Sequence, residues 1–456
     1  MKIVIVGSGR VGFTLAENLT QESHDVAVID IDEHALNRIS DMLDVLAIRG
    51  NGASIGVLKS TGVDKADILI AVSERDEVNM ISCITAKKLG AKHTIARIRD
   101  PEYAKEVQLL KDELDIDMVI NPEYSTASQI LRLLRFPNAT GIETFCRGNV
   151  ELVGFRAVEN DIITGKPLYA VSRDLGKLPI LFCALEHEGK TIIPNGSTVI
   201  SAGDTVYVIG AIKGINLFFK TLGRISQRVR DVFIIGGGLT SVYLARLLAE
   251  LKFGVKIIEA DRKRCHELCS LLPNALIING DGTEHEILSS ENLAEHDSFV
   301  ALTGDDEDNL ITALFAKQSG VPRVIAKINR PDYYDVVSSL NIDCFVNPKV
   351  ITANRIYRYI RGLQGSGESP MEALHRIAGG GAEAIEFHIA EKTPYLGVPL
   401  RDLHLKKNIL IVCIIREGKI IIPEGGSFIQ AGDNVIIATS SVDIRAFEDI
   451  YAVKEP

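Results

Sequence analysis

Short runs rich in Val and Ile alternate with longer stretches of helical periodicity along most of the chain. The run Lys2–Val6 leads into the helical pattern Phe13–Leu19, and a second apolar run, Val26–Ile29, follows. Strands buried on both faces carry nearly continuous apolar runs, and their alternation with helices is typical of βαβ units. The pattern therefore predicts a doubly wound parallel sheet, a Rossmann-like domain of the α/β class.

The same pattern occurs twice. Segments of the first half align with segments of the second half in the same order, at an offset of about 230 residues. The aligned pairs are Lys2–Gly12 with Asp231–Ser241, Val28–Asp32 with Ile257–Asp261, Gly50–Ala53 with Gly280–Thr283, Ile70–Asn79 with Val300–Asn309, Ile95–Ile98 with Ile325–Ile328, and Val119–Pro122 with Phe345–Pro348. A series of this length indicates two tandem copies of one domain.

A smaller unit follows each copy. Short strand patterns broken by turns at Pro194–Gly196 and Ala202–Asp204 recur at Pro423–Gly425 and Ala431–Asp433, which favours a small β-rich or α+β lobe. We therefore expect four parts in the order domain, lobe, domain, lobe. Their predicted limits are 1–122, 139–222, 228–348 and 368–453, with linkers near 136–139, 223–229 and 362–370.

Composition and charge limit the classes of function that the chain can have. The chain has 456 residues, is 46% hydrophobic and carries a formal charge of −10, so we expect folded domains and no nucleic-acid partner. Apolar runs such as Ile409–Ile415 are too short to span a bilayer. The seven cysteines lack the spacing of a disulfide framework, and a predicted strand follows Met1 directly where a signal peptide would lie. Both observations favour a cytoplasmic location over secretion.

The first copy carries the pattern Gly7-x-Gly9-x-x-Gly12 between a predicted strand and a helix, with Ser8, Arg10 and Val11 between the glycines. In this context Gly7 permits a tight turn, Gly9 lets the backbone approach a pyrophosphate, and Gly12 allows close helix packing. Asp30 ends the next strand, where a carboxylate accepts hydrogen bonds from ribose hydroxyls and repels a 2′-phosphate. This predicts NAD or NADH, although Asp30 could instead cap a helix that begins near His34.

Other polar residues follow the ends of predicted strands, where open α/β sheets bind ligands. Asn51, Gly52, Ser73 and Glu74 are candidates of this kind, as are Arg97 and Arg99. If Arg97 and Arg99 share a strand, alternation would let only one of them face a phosphate. Solvated charges at strand ends are the alternative interpretation.

The second copy differs in its chemistry. It reads Gly236-Gly237-Gly238-Leu239-Thr240-Ser241, with Ser in place of the third glycine, and Glu259 stands at the position of Asp30. Either a second nucleotide site or a copy kept for structure is consistent with this pattern. Asp305–Asp308 could bind a divalent cation, but acidic residues also stabilise the first turn of a helix. Cys265 and Cys269 lack the spacing of structural zinc sites.

These residues resemble the RCK (KTN) family. The resemblance rests on Val4–Gly12, Asp30, the turns Asp76–Asn79 and Asp306–Asn309, and the Pro and Ala-Gly-Asp positions of both lobes. It implies alternating N and C lobes, no catalysis, and binding of NAD(H) and ATP or ADP in the N lobes. The implied contacts are Gly7 to Val11, Asp30, Ser73, Glu74 and Arg97 or Arg99 in the first copy, with Gly236 to Thr240, Glu259, Asp281 and Thr303 in the second.

The resemblance also implies partners. Members of this family form homo-oligomers, dimers or tetrameric rings, on the cytoplasmic face of the membrane and regulate a TrkH- or TrkG-type potassium channel. An NAD-dependent oxidoreductase is one alternative, but it requires a general acid or base near the nicotinamide, and His187 aligns with Arg416 between the two lobes. A nucleotide-responsive sensor of another transporter is the second alternative.

Overall fold

The computed structural model describes residues 1–101, 103, 113–136, 138–176, 178–224, 229–330, 342–364, 369–390, 395–440 and 444–452. The chain divides into two compact units. The first unit contains residues 1–131 and 230–356, and the second contains residues 132–229 and 357–456. Each unit therefore joins matching parts of the two sequence copies.

The first part of the chain forms a six-stranded parallel sheet in the order β3-β2-β1-β4-β5-β6. Its strands are β1 (Lys2–Val6), β2 (Asp25–Asp30), β3 (Leu46–Arg49), β4 (Ile68–Ala71), β5 (His93–Arg97) and β6 (Met118–Ile120). The helices are α1 (Arg10–Gln21), α2 (Glu33–Met42), α3 (Ile55–Ser60), α4 (Asp76–Leu89) and α5 (Pro122–Arg135). The strands β2 and β3 are added on one side of β1, and β4, β5 and β6 on the other side. This change of side places a ligand crevice outside the carboxyl ends of β1 and its neighbours.

A five-stranded sheet follows, in the order β10-β9-β11-β8-β7, with antiparallel pairing. Its elements are β7 (Gly141–Phe145), β8 (Val150–Arg156), α6 (Leu168–Leu175), β9 (Ile180–His187), β10 (Lys190–Ile192), β11 (Thr205–Ala211) and α7 (Ile212–Thr221). The predicted small lobe is therefore an α+β structure.

The second copy repeats the first sheet, in the order β14-β13-β12-β15-β16-β17. Its strands are β12 (Asp231–Ile235), β13 (Gly254–Glu259), β14 (Leu276–Asn279), β15 (Ser298–Ala301), β16 (Arg323–Lys327) and β17 (Cys344–Val346). Its helices are α8 (Leu239–Glu250), α9 (Arg262–Leu271), α10 (His285–Ser290), α11 (Asp306–Gln318) and α12 (Pro348–Gln364). The last described sheet has the order β18-β19-β22-β20-β21. It consists of β18 (Met371–Ile377), β19 (Ala382–His388), β20 (Ile409–Arg416), β21 (Lys419–Ile421) and β22 (Asn434–Thr439).

The central strands are the most deeply buried parts of the first unit. Ile3, Val4 and Ile5 of β1 are fully buried, as are Ile234 and Ile235 of β12. Burial on both faces explains why these strands are apolar at consecutive positions rather than at every second one. The predicted fold, two tandem Rossmann-like domains each followed by a small lobe, is confirmed.

The first three residues of one predicted linker belong to a helix. The Gly- and Ser-containing stretch 362–370 was expected to be a connection, but α12 continues to Gln364, and residues 365–368 lie outside the described residues. Part of the linker 223–229, residues 225–228, and the predicted domain limits 228, 368 and 453 also lie outside the described residues. The four domain limits remain our proposal. Among the described helices, none has both the length and the hydropathy of a membrane span.

Candidate functional site

The glycine turn after β1 is shaped by contacts with the neighbouring strand and with α1. Gly7 has a φ of +103°, and a Cβ there would lie 2.8 Å from the backbone nitrogen of Ser73. A Cβ on Gly12 would lie 1.8 Å from the carbonyl oxygen of Gly7. Gly9 precedes α1, and a Cβ there would meet no atom within 4 Å. The turn is thus closed on its inner side and open where the backbone faces the cleft.

Asp30 is bonded directly to this turn. Its Oδ2 accepts hydrogen bonds from the backbone nitrogen of Ser8 at 2.5 Å and from its hydroxyl at 2.7 Å. Its Oδ1 accepts from the backbone nitrogen of Asp32 at 3.0 Å. Burial raises the pKa of Asp30, but the hydrogen bonds from Asp32 and Ser8 outweigh it and hold the pKa below its ordinary value. The carboxylate is therefore ionised and fixed beside the turn.

The alternative role of Asp30 as a helix cap is wrong. Asp32 is the residue that caps α2, since its Oδ1 accepts a hydrogen bond from the backbone nitrogen of His34 at 2.9 Å. Asp30 lies two residues earlier, at the end of β2, and lines the cleft. Both carboxylates line the cleft, but only Asp32 also caps the helix.

A cleft of about 820 Å³ lies over the carboxyl ends of the strands of the first copy. Eleven of the residues predicted for the first site line it, namely Gly7, Gly9, Arg10, Val11, Asp30, Asn51, Gly52, Ser73, Glu74, Arg97 and Arg99. Ser8 and Gly12 do not line the cleft. Both are buried beneath the turn. The Ser8 hydroxyl is bonded to Asp30, and Gly12 packs closely against the carbonyl group of Gly7.

Arg97 and Arg99 both line the cleft, although alternation along a strand predicted that only one would face the ligand. The reason is that β5 ends at Arg97, so Arg99 lies beyond the pleated segment. Arg97 pairs with Glu123 at 3.2 Å, and an Arg99 Nη donates to the carbonyl oxygen of Glu74. Burial lowers the pKa of Arg97, and the charge of Glu123 opposes that shift.

Several cleft residues come from the second copy, and the sequence reasoning missed most of them. Thr240 was predicted for a second site but lines this cleft instead, together with Lys327, Asn329, Pro348 and Lys349. The alignment of the two copies contained a signal, because Lys327 aligns with Arg97 and Lys349 with Glu123. What it could not show is that the second copy turns these positions toward the first copy's cleft.

The glycine turn of the second copy is bonded like the first but is partly covered. Glu259 accepts a hydrogen bond from the backbone nitrogen of Gly237 at 2.6 Å, and the Ser241 hydroxyl donates to the carbonyl oxygen of Gly236 at 2.5 Å. Arg264 Nε donates to the carbonyl oxygen of Gly237 at 2.9 Å. The corresponding residue of the first copy is Ala35, which lines the open cleft. An arginine side chain therefore lies against the second turn.

The remaining predicted residues of the second site are engaged in local structure. Asp281 accepts hydrogen bonds from the backbone nitrogen and hydroxyl of Thr283, which hold its pKa below the ordinary value. The Thr303 hydroxyl donates to Asn309 Oδ1 at 2.9 Å. Gly236, Gly237, Gly238, Leu239, Glu259, Asp281 and Thr303 do not line the cleft of the first copy.

The acidic turn before α11 has a structural use. Asp305 caps the helix by accepting a hydrogen bond from the backbone nitrogen of Asp308 at 3.0 Å, and Asp306 accepts from that of Asn329 at 2.9 Å. Cys265 is buried, whereas Cys269 is exposed on the same helix. The described ranges contain no group of three His, Cys, Asp or Glu residues that could hold a metal ion.

Family models match both kinds of domain. The TrkA-N domain matches residues 3–122 and 232–348, and the TrkA-C domain matches residues 152–223 and 384–452. The chain is 31% identical to a Trk system potassium uptake protein TrkA of Azorhizobium caulinodans, with 99% of each chain covered. It is 36% identical to a Trk system potassium uptake protein TrkA homolog of Methanosarcina mazei, with 96% of this chain and 97% of that one covered.

A solved structure shares the fold. The GsuK channel bound to NAD superposes with a TM-score of 0.64 at 17% identity, covering 96% of this chain and 77% of that chain. At this identity the likeness concerns the fold alone. The matches to the family models and to the two relatives show more than a shared fold. The chain belongs to the family of Trk system potassium uptake proteins TrkA.

Proposed function

We propose that this protein is a regulatory subunit that binds NAD(H), or ATP and ADP, in the cleft of its first copy and thereby controls a Trk-type potassium channel. The observation that carries the proposal is the connection of the open glycine turn to an ionised, cleft-facing Asp30. Its relatives are potassium uptake proteins by name, and a protein of the same fold is a channel bound to NAD. The proposed assembly is a homo-oligomeric ring on the cytoplasmic face, in contact with a TrkH- or TrkG-type membrane subunit.

The cleft residues fit an adenosine-containing ligand. The open backbone at Gly9 and the start of α1 offer unshielded N–H groups to a pyrophosphate. Asp30 offers carboxylate oxygens to the ribose hydroxyls while it remains bonded to Ser8. Its negative charge would repel a 2′-phosphate, so NAD(H) is preferred over the phosphorylated dinucleotides. A ligand held here would supply binding energy and no chemistry.

Control of a channel requires the ligand to favour one conformation of the ring. A nucleotide that binds two conformations with different affinities shifts their populations by that difference, and a nucleotide that binds both equally shifts nothing. Regulation therefore depends on cleft contacts that change between conformations. Contacts from the second copy, which approaches the same cleft, are suited to this role.

The test compares Asp30→Ala with Asp41→Ala, which removes an exposed carboxylate outside the cleft. Titration calorimetry with NADH, NAD, ATP and ADP should show binding by the wild-type protein and by Asp41→Ala. Loss of a charged hydrogen-bond acceptor weakens an interaction by about 1.5–3 kcal/mol, so Asp30→Ala should bind at least about tenfold more weakly. Asp30→Asn, which preserves size, is the second variant if Asp30→Ala does not fold.

Potassium flux through the reconstituted membrane partner provides the functional measurement. Flux should respond to nucleotide with the wild-type subunit and with Asp41→Ala, and Asp30→Ala should require at least about tenfold more nucleotide for the same response. Absence of saturable binding of every adenine nucleotide by the wild-type protein would refute the proposal. So would an unchanged flux response with a folded Asp30→Ala subunit.

A further inference from the structure

The two small lobes contact each other through equivalent elements. One buried hydrophobic cluster contains residues of both lobes. Strand β7, a 3₁₀ turn at Cys146–Gly148 and β8 in the first lobe correspond to β18, a turn at Ala378–Gly380 and β19 in the second. Identical lobes could meet in this way as equal partners. The positions at which the lobes differ therefore decide what each lobe can pair with.

Side-chain size differs between the lobes in a complementary way. At four positions of the shared cluster the first lobe carries the larger side chain, namely Phe145 against Ile377, Val150 against Ala382, Leu152 against Ala384 and Ile209 against Ala438. On β9 and β20 the second lobe carries the larger one, with Val412 and Cys413 at the positions of Cys183 and Ala184. Two first lobes would overpack the four positions, and two second lobes would leave cavities there.

An ion pair joins the lobes at one equivalent position. Glu143 stands opposite Leu152 in its hairpin, as His375 stands opposite Ala384 in the other. Glu143 Oε2 contacts His375 Nδ1 directly, and His375 Nε2 lies 3.1 Å from the carbonyl oxygen of Thr144. His375 is buried. The second lobe thus places a histidine where the first lobe presents a carboxylate and a carbonyl group.

The surroundings of Glu143 keep its carboxylate ionised. Burial raises the pKa of Glu143, but the charge and hydrogen bond of His375 outweigh burial, and the charges of Arg358 and Arg132 lower the pKa further. Arg358 Nη1 lies 3.0 Å from His375 Nε2. Two second lobes would bring two histidines together here without a carboxylate, and two first lobes would oppose two carboxylates. Either pairing loses the contact that the unlike lobes make.

A second polar contact between the lobes is directional. Glu386 on β19 accepts hydrogen bonds from the backbone nitrogen of Cys146 at 3.0 Å and from its thiol at 2.9 Å. Asn434 Nδ2 donates to the same carboxylate at 2.6 Å. The equivalent of Glu386, the fifth residue of β19, is Gly154, the fifth residue of β8. A Cβ on Gly154 would lie 2.8 Å from the ring of Tyr207, so the first lobe has an aromatic ring where the second has a carboxylate.

We propose that the unlike residues at these positions make each first lobe pair with a second lobe and reject a lobe of its own kind. The polar part of this selection is carried by Glu143 with His375 and by Cys146 with Glu386. In an oligomer of tandem chains the two kinds of lobe would then be matched in equal numbers. The selection does not depend on nucleotide binding, so its test is separate from that of the proposed function.

Variants of the full chain reproduce each rejected pairing at the position of Glu143. Glu143→His presents two histidines, His375→Glu presents two glutamates, and Glu143→His/His375→Glu restores an unlike pair with the residues exchanged. Hydrogen–deuterium exchange of the Cys146 amide measures pairing, because this amide donates to the other lobe. The Val208 amide measures folding of the first lobe itself, because Val208 lies in β11 between β8 and β9.

Each single variant should expose the Cys146 amide without unfolding the lobe. Loss of a hydrogen bond to a charged group costs about tenfold to a hundredfold, so exchange at Cys146 should rise at least about tenfold and exchange at Val208 should stay within about twofold. The exchanged pair should return Cys146 to within about threefold of wild type, because the contact is unlike again. The matched control is Lys166→Gln, which breaks an exposed ion pair with Asp174 inside the first lobe and should leave both amides unchanged.

Unchanged exchange at Cys146 in both single variants, or no recovery in the exchanged pair, would overturn the selection. If a single variant also loses protection at Val208, the lobe has unfolded, and a glutamine cycle decides. Thermal midpoints of Glu143→Gln, His375→Gln and the double variant should then be non-additive, because either change removes the same contact. Additive losses would reject the pair as a determinant of partner choice.

Discussion

The glycines of the first turn allow the requirements of folding and of ligand binding to be separated. Gly9→Ala places a methyl group where no atom lies within 4 Å, at a backbone φ of −62° that alanine adopts readily. The stability cost should stay below about 1 kcal/mol, the range of helix N-cap changes. The same methyl group stands where the backbone would approach a pyrophosphate. Gly9→Ala should therefore fold normally and lose nucleotide affinity.

Gly12→Ala should have the opposite primary effect. Its Cβ would lie 1.8 Å from the Gly7 carbonyl oxygen and 2.9 Å from the Gly7 carbonyl carbon. These are backbone atoms that cannot rotate away, so α1 and the turn must separate. Overpacking of this kind costs about 1–3 kcal/mol. At about 2–4 °C per kcal/mol for a domain of this size, the unfolding midpoint should fall by roughly 2–12 °C.

Differential scanning fluorimetry and calorimetric titration with NADH measure the two effects on the same samples. Gly9→Ala should show a near-normal midpoint with weakened binding, and Gly12→Ala a lowered midpoint. The second copy carries Ser241 at the position of Gly12 and bonds its hydroxyl to Gly236, so the turn can adapt when its sequence has adapted with it. A Gly12→Ala midpoint within about 1 °C of wild type, or normal NADH affinity in Gly9→Ala, would refute this assignment of roles.

Two further predictions concern other parts of the chain. Tyr243→Phe removes the buried hydrogen bonds to Arg99 and Asn121 and should lower unfolding free energy by about 1–2 kcal/mol in urea denaturation; an unchanged midpoint would contradict the anchoring role. In the first small lobe the hydrogen bond from His187 to Asp204, at 2.7 Å, raises the pKa of His187. Its stabilisation is therefore fully present below the ordinary histidine pKa of about 6.5 and is lost as pH rises through the raised value. Thermal midpoints of wild type and His187→Gln should converge over that interval, and a constant difference would exclude the effect.

The sequence determined the elements and the local chemistry of the first site. In continuous Val and Ile runs such as Lys2–Val6, apolar side chains point to both faces of the strand, so both faces must be covered. The spacing of Gly7, Gly9 and Gly12 after such a strand restricts the backbone to one kind of turn. Asp30 lies at a strand end that the same pattern specifies. These features depend on neighbours a few residues apart, which is the range over which a sequence pattern is informative.

The tertiary structure decided what lies across the cleft. Lys327 and Lys349 line the first copy's cleft because Tyr243 packs against the ends of β5 and β6, more than a hundred residues away in the chain. Arg99 reaches the cleft because β5 ends two residues earlier, at Arg97. The hydrophobic periodicity of the sequence does not indicate such contacts, because side-chain packing between distant segments depends on shape in three dimensions. The duplicated sequence indicates two equivalent copies, and only their packing makes one of them part of the other's cleft.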